Sequence, residues 1–143
     1  MRKLILLLLI FCSVKSFAQQ SDTAFFIGGN SCNCIIIEDK DERERSMVFD
    51  KTQQPPSFPG GNIAWDEFVK SNLNTRFTGE KEEFSIVFII QAQGDITDIK
   101  GKSPISDNKF QEAKRILLLS GKWCPGVVKG RCRRTYHKIS FNF

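Results

Sequence analysis

The segment 84–90 constrains the fold more than any other part of the chain, because its apolar side chains occupy both faces of a strand. Four of them alternate on one face and two on the other: Phe84, Ile86, Phe88 and Ile90, then Val87 and Ile89. A half-exposed strand alternates apolar and polar residues, whereas a strand that is apolar on both faces is typical of the interior of a sheet. We therefore expect a central strand at 84–90.

Two helices and two further strands are predicted around this central strand. They are a helix at 63–73, a strand at 96–100, a helix at 109–120 and a strand at 133–143. Asn62 is the expected cap of the first helix, Gly94 lies in the turn between the first two strands, and Gly121 ends the second helix. This order predicts an α+β fold, with one three-stranded antiparallel sheet and two helices packed on a single face.

The N-terminal region is typical of an export signal. Arg2 and Lys3 precede an apolar run at 4–11, which at eight residues is far shorter than the roughly 20 that a membrane-spanning helix needs. Small side chains at Ser16 and Ala18 predict cleavage after Ala18. Lipidation at Cys12 is the alternative, although the bulky Phe11 before it disfavours that modification.

The remaining 125 residues are long enough for one domain, preceded by a short leader. We expect the leader at 19–52, with strand-like pieces at 24–27 and 34–37, and the domain at 53–143. Residues 109–143 contain nine basic residues and one acidic residue, so the end of the chain is predicted to present a positive surface to an anionic partner. A solvated basic face is the alternative, and nucleic acid is not expected as a partner of an exported chain.

Four cysteines remain after the predicted cleavage, and an even number in an exported chain indicates disulfides. Cys124 and Cys132 flank a short loop, and we expect a bridge between them. Cys32 and Cys34 share one face of an extended segment but lie too far apart to pair with each other, so each either pairs elsewhere or stays reduced. A metal site built from the four thiols is a further alternative, although their spacing is not that of a zinc knuckle.

The sequence gives little support for an enzyme. His137 is the single histidine of the chain, and it lies on the last predicted strand with no paired carboxylate or nucleophile nearby. Cys124 follows the end of a helix, where the helix dipole disfavours a thiolate. We predict no catalytic residues, no cofactor and no metal ion.

Six short motifs follow one another along the second part of the chain. They are Pro56-Ser-Phe-Pro-Gly-Gly61, residues 68–73, Gly94-Asp95-Ile96, Glu112-Ala113, Trp123-x-Pro125-Gly126 and Phe141-Asn142-Phe143. In this order and spacing they resemble the C-terminal domain of the energy transducer TonB, in the form common in Bacteroidetes-type bacteria. The resemblance covers residues 48–143, about two thirds of the chain.

The resemblance implies a periplasmic domain that pairs a strand with a short segment of an outer-membrane transporter or a related envelope protein. An exposed sheet edge offers unpaired N–H and C=O groups for such pairing. By position the edge is the final strand, at 133–142, and its basic side chains would meet an acidic segment. The expected partner-binding residues are Arg133, Arg134, Thr135, Tyr136, His137, Lys138, Ile139 and Ser140.

A sensor or cell-wall module without a role in transport is the second hypothesis. In that case Arg131, Arg133, Arg134 and Lys138 would hold an anionic glycan or lipid head group, and binding would depend steeply on salt. Under either hypothesis we expect Phe58, Trp123 and Pro125 to pack in the core.

Overall fold

The computed structural model describes residues 24–27, 30–36, 42–79, 82–102 and 104–143. The predicted signal at 1–18 and Cys12 lie outside these residues. No helix in the described part of the chain is long and apolar enough to cross a membrane.

The described residues form seven strands, three α-helices and one short 3₁₀ helix, joined by turns and loops. In chain order they are β1 (Ala24–Ile27), β2 (Asn30–Ile35), α1 (Glu42–Ser46), α2 (Gly61–Asn72), the 3₁₀ helix (Thr75–Phe77), β3 (Glu83–Ile90), β4 (Ile96–Gly101), α3 (Asp107–Leu119), β5 (Gly126–Val128), β6 (Arg131–Arg133) and β7 (Thr135–Asn142). The predicted α+β class is confirmed.

One sheet has three antiparallel strands in the order β4-β3-β7, so β3 is the central strand, as predicted. Its pairing with β7 is continuous from Glu83 opposite Asn142 to Ile90 opposite Thr135. The pairing with β4 shifts between Val87 and Ile89, where Asp98 adopts a φ of 54°. This bulge turns both Ile96 and Ile99 towards the core, although they are three residues apart.

The main core lies between this sheet and the helices α2 and α3. Its most deeply buried apolar residues come from β3, α3 and the loop after α3: Ile86, Phe88, Ile90, Ala113, Ile116, Leu117 and Trp123. Phe58 makes edge contacts with Trp65 and Trp123, with ring centroids 5.4 and 5.5 Å apart. Phe58, Trp123 and the buried Pro125 therefore pack as expected.

The helix boundaries differ slightly from the predictions. Helix α2 begins at Gly61 with Gly60 in the N-cap position at a φ of 89°, so Asn62 lies in the first turn instead of capping it. Ile63, an apolar residue in the first turn, is 77% exposed. A side chain at Gly60 would meet the Cβ of Ala64 at 2.8 Å, which explains why the chain enters the helix through glycine.

Glu112 joins α3 to the end of α2 and the 3₁₀ helix. Its buried carboxylate accepts hydrogen bonds from the backbone N–H of Asn74 at 2.8 Å and from Arg115 at 2.8 and 2.9 Å. The hydrogen bond from Arg115 is the main cause that lowers the pKa of Glu112 below its ordinary value. A buried carboxylate with these partners stays charged and holds the two helical segments together.

A second sheet, in the order β1-β2-β6-β5, joins the leader to the end of the chain. Strand β2 pairs with β6 in parallel, with Ile35 opposite Arg131, and β6 forms a hairpin with β5. The sequence predicted strand-like pieces in the leader but neither this sheet nor the hairpin. It also predicted one strand at 133–143, whereas the structure divides this part of the chain at Arg134 into β6 and β7.

Candidate functional site at the edge of strand β7

Strand β7 lies at an edge of the three-stranded sheet, which is the position that the resemblance implied for the final strand. Among the described strands it pairs only with β3. In an antiparallel strand the N–H and C=O of one residue point to the same side, and successive residues alternate between the two sides. Half of the residues of β7 therefore direct their backbone groups away from β3.

Two hydrogen bonds identify which residues point outwards. Lys102 donates its N–H to the C=O of Ser85 at 2.9 Å. The backbone N–H and C=O groups of the odd-numbered residues of β3 therefore point to β4, and those of the even-numbered residues point to β7. The N–H of Tyr136 donates to the C=O of Phe49 at 2.9 Å, on the side of β7 away from β3. The residues of β7 whose backbone groups point away from β3 are thus Tyr136, Lys138, Ser140 and Asn142, and we call them the outward residues.

Phe49 covers only the start of this edge. Its N–H donates to the C=O of Arg134 at 2.9 Å, and its C=O accepts from Tyr136, which forms a one-residue parallel bridge opposite Thr135. From the C=O of Tyr136 to the N–H of Asn142, no backbone partner lies on the outer side within the described ranges. Six backbone groups are therefore exposed for pairing along this edge.

Three of the eight predicted partner-binding side chains point to solvent. Tyr136 is 39% exposed, and Lys138 and Ser140 are also exposed. They lie on the sheet face opposite the core. Across Val87 from Lys138 lies Lys100, which the sequence analysis did not assign to the site. Neither lysine forms an ion pair with any described carboxylate.

Three other predicted residues face the core instead of a partner. Thr135 is 1% exposed, and its hydroxyl donates to the C=O of Arg133 at 2.7 Å and accepts from the N–H of Gly126 at 3.0 Å. Ile139 packs against the main core. His137 lies against Phe88 and Trp123, and burial lowers its pKa below the ordinary value of 6.5. These side chains hold β7 in place.

The two predicted arginines lie beside the start of β7. Arg133 belongs to β6, forms an ion pair with Glu44 at 3.6 Å and places its guanidinium 5.9 Å from the ring of Phe49. Arg134 forms an ion pair with Asp98 at 3.6 Å and donates to the C=O of Ser46 at 3.3 Å. Their charges are therefore partly engaged within the chain.

The predicted bridge between Cys124 and Cys132 is wrong, although both residues are in disulfides. Cys32 is bonded to Cys124 and Cys34 to Cys132. Cys32 and Cys34 occupy alternate positions of β2, so both sulfurs point to the same face and each reaches a different partner. With all four sulfurs in disulfides, no thiolate among them is available as a metal ligand.

Phe49 is a residue of this edge that no sequence pattern indicated. It lies in the leader, 86 positions before Thr135, and the sequence around it has no strand-like alternation.

In the described part of the chain no group of three or more potential metal ligands occurs. Comparisons with protein-family models, curated proteins and solved structures find no match. What this site can do is to accept an extended segment through backbone hydrogen bonds.

Proposed function

We propose that this chain is a periplasmic binding domain of the TonB C-terminal type, which pairs β7 with an extended segment of an outer-membrane transporter or a related envelope protein. The observation that carries the proposal is the outer side of β7 from the C=O of Tyr136 to the N–H of Asn142, which no backbone group of the described residues pairs. The order α2, β3, β4, α3, β7, with β3 at the centre of its sheet, supports the proposal, because it is the order predicted for the part of the chain that resembles this domain.

Backbone pairing alone gives such a complex only modest affinity. Six hydrogen bonds contribute about 3–9 kcal/mol in total, whereas association costs at least about 4 kcal/mol in lost translational and rotational freedom. A micromolar complex needs about 8 kcal/mol of net binding free energy. The side chains of the bound segment must therefore add to the affinity, and they also determine its selectivity.

The two faces of the sheet next to β7 favour different side chains in the bound segment. Lys138 is exposed on the outer face, where a carboxylate on the adjacent strand would lie opposite it. On the core face, the half-buried Ile139 offers an apolar contact. We therefore propose a partner segment that alternates acidic or polar residues with apolar ones.

A proline at Lys138 tests the role of the backbone. Lys138→Pro removes an N–H that points away from β3, and the strand is expected to fold because proline is tolerated at sheet edges. Lys138→Ala is the matched control, since it removes the same side chain but retains the N–H. Titration with N-terminal peptides of transporters should give weaker binding for the proline variant than for the alanine variant. Equal affinities would contradict strand pairing.

The alternative, a sensor or cell-wall module, rests on a basic surface formed by Arg131, Arg133, Arg134 and Lys138. Two of these residues already form ion pairs, with Glu44 and Asp98. This reduces the positive charge that is left for a glycan or lipid head group. Binding that falls steeply with salt and is unchanged in Lys138→Pro relative to Lys138→Ala would favour this second function.

A further inference from the structure

Phe49 occupies one pairing position at the start of the β7 edge. It lies parallel to β7, and both of its backbone groups are used, one by Arg134 and one by Tyr136. The chain then bends at Asp50 and does not continue along β7. The described part of the leader thus covers two outward backbone groups of the edge and leaves the following six uncovered.

Phe49 is anchored on both sides along the chain. Before it, the C=O of Ser46 accepts a hydrogen bond from Arg134, and Glu44 forms an ion pair with Arg133. After it, Gln53 donates its N–H to Val127 at 2.8 Å and Gln54 accepts from the same residue at 2.9 Å. A segment held at both ends is not displaced by losing two hydrogen bonds to a competing strand.

We propose that Phe49 is a stop that limits the length and fixes the register of the strand that pairs with β7. This inference rests on the proposed function of the edge. The bound segment is an extended peptide that runs parallel to β7, as Phe49 does, so that about five of its residues pair between the C=O of Tyr136 and the N–H of Asn142. One end of the paired segment lies beside Phe49, so the segment cannot slide along β7 past Tyr136.

A fixed stop matters because β7 alone specifies register weakly. The exposed side chains Tyr136, Lys138 and Ser140 follow one another at every second residue of β7. If the bound segment shifts along β7 by two residues, each of its side chains stays on the same face of the sheet. With Phe49 in place, a shift of the bound segment by two residues towards the start of β7 would make it overlap Phe49. A carboxylate of the partner is then held opposite Lys138 instead of opposite a neighbouring residue.

Peptide length gives the first test. The probes are synthetic peptides of four, six, eight and ten residues that alternate Val with Thr and contain one Asp. For the native chain, affinity should rise up to six residues and change by less than about threefold from six to eight. In Phe49→Pro the ring replaces the N–H that donates to Arg134 at 2.9 Å and would collide with that carbonyl oxygen, so the segment is pushed away from β7 in spite of its anchors. The eight-residue peptide should then bind about thirtyfold more tightly than the six-residue one, because two further hydrogen bonds form.

Val48→Pro is the matched control, because Val48 is exposed and lies just outside the bridge. It should retain the length dependence of the native chain. A native chain whose affinity continues to rise through eight and ten residues would overturn the inference, as would Phe49→Pro with the length dependence of the control.

Amide hydrogen exchange of the native chain provides a test that needs no variant. On binding the eight-residue peptide, the amides of Lys138 and Ser140 should gain protection, while the amide of Phe49 should keep the protection it has in the free chain. If Lys138 and Ser140 gain protection and Phe49 loses it, the stop is overturned but the proposed function stands. If no peptide protects any amide of β7, both are overturned.

Discussion

The two disulfides should stabilise the fold in a strongly non-additive way. Each closes a long loop, with sequence separations of 92 and 98. In the chain-entropy model a loop of this length contributes about 4.5 kcal/mol when it is the first to be closed. Once Cys32–Cys124 is formed, however, the path from Cys34 to Cys132 runs through that bond and is only about ten residues long, so the second disulfide contributes about 2.5 kcal/mol.

The assay compares three variants by urea unfolding: Cys34→Ser with Cys132→Ser, Cys32→Ser with Cys124→Ser, and all four together. Removing either disulfide should lower the free energy of unfolding by about 2.5 kcal/mol, and removing both should lower it by about 7 kcal/mol. A fourfold variant that is already unfolded without urea agrees with this expectation, since 7 kcal/mol is a large part of the stability of a small domain.

Additive losses would refute this reasoning, because they are expected when each disulfide closes its own separate loop. Non-reducing peptide mapping supplies the covalent check. Only Asn33 separates Cys32 from Cys34, so both stay on one peptide, and the map should yield one fragment in which this peptide is joined to the peptide of Cys124 and to that of Cys132. A fragment that joins the peptides of Cys124 and Cys132 to each other and lacks Cys32 and Cys34 would contradict the pairing itself.

Three further predictions concern single side chains. Lys138→Glu should weaken binding of an acidic partner peptide about tenfold at low salt and less at high salt. Lys100→Glu should change this binding less than threefold, because Lys100 lies two strand spacings, or about 10 Å, from the bound peptide. Titrations at two ionic strengths check both expectations. Burial lowers the pKa of His137, so the unfolded chain takes up the proton first as the pH falls, and stability should decrease below about pH 6.5. His137→Gln should reduce this loss between pH 7 and 5. If the urea midpoint of this variant depends on pH as steeply as that of the native chain, the expectation is contradicted. Glu112→Gln should lower the free energy of unfolding by about 2–3 kcal/mol at pH 7, measured by urea unfolding, and a loss under 0.5 kcal/mol would show that its hydrogen bonds contribute little.

The central sheet was predictable because its signals are local. Alternation in β3 places apolar residues on both faces, and the helical spacing of residues around it predicts α2 and α3. The edge strand was expected at 133–142 from the resemblance to the TonB C-terminal domain, not from local alternation. Of the eight side chains expected to bind a partner there, Tyr136, Lys138 and Ser140 are exposed.

The division of the last strand into β6 and β7 is marked by a break in the two-residue period of its buried residues. Cys132 and Thr135 are both buried but lie three residues apart, which breaks the two-residue period at the boundary of β6 and β7. The β5–β6 turn is made by Lys129 and Gly130, with φ values of 52° and 72°. A left-handed lysine is uncommon, so this hairpin lacks the usual Asn-Gly or Asp-Gly signature.

The disulfide pairing and the position of Phe49 could not be predicted, because both depend on contacts between distant parts of the chain. Cys34 reaches Cys132 since β2 lies beside β6, and no local pattern specifies this parallel pairing. Phe49 is placed by a single bridge and by the bend that follows it. A one-residue bridge leaves no periodic pattern in the sequence.

Amide hydrogen exchange along β7 of the free chain tests most directly whether this edge is open. The amides of His137 and Ile139 face β3 and should exchange slowly, whereas those of Lys138 and Ser140 face outwards and should exchange nearly as fast as amides in an unstructured peptide. Slow exchange at Lys138 and Ser140, equal to that of their neighbours, would show that the edge is already paired and would contradict its role as a binding site.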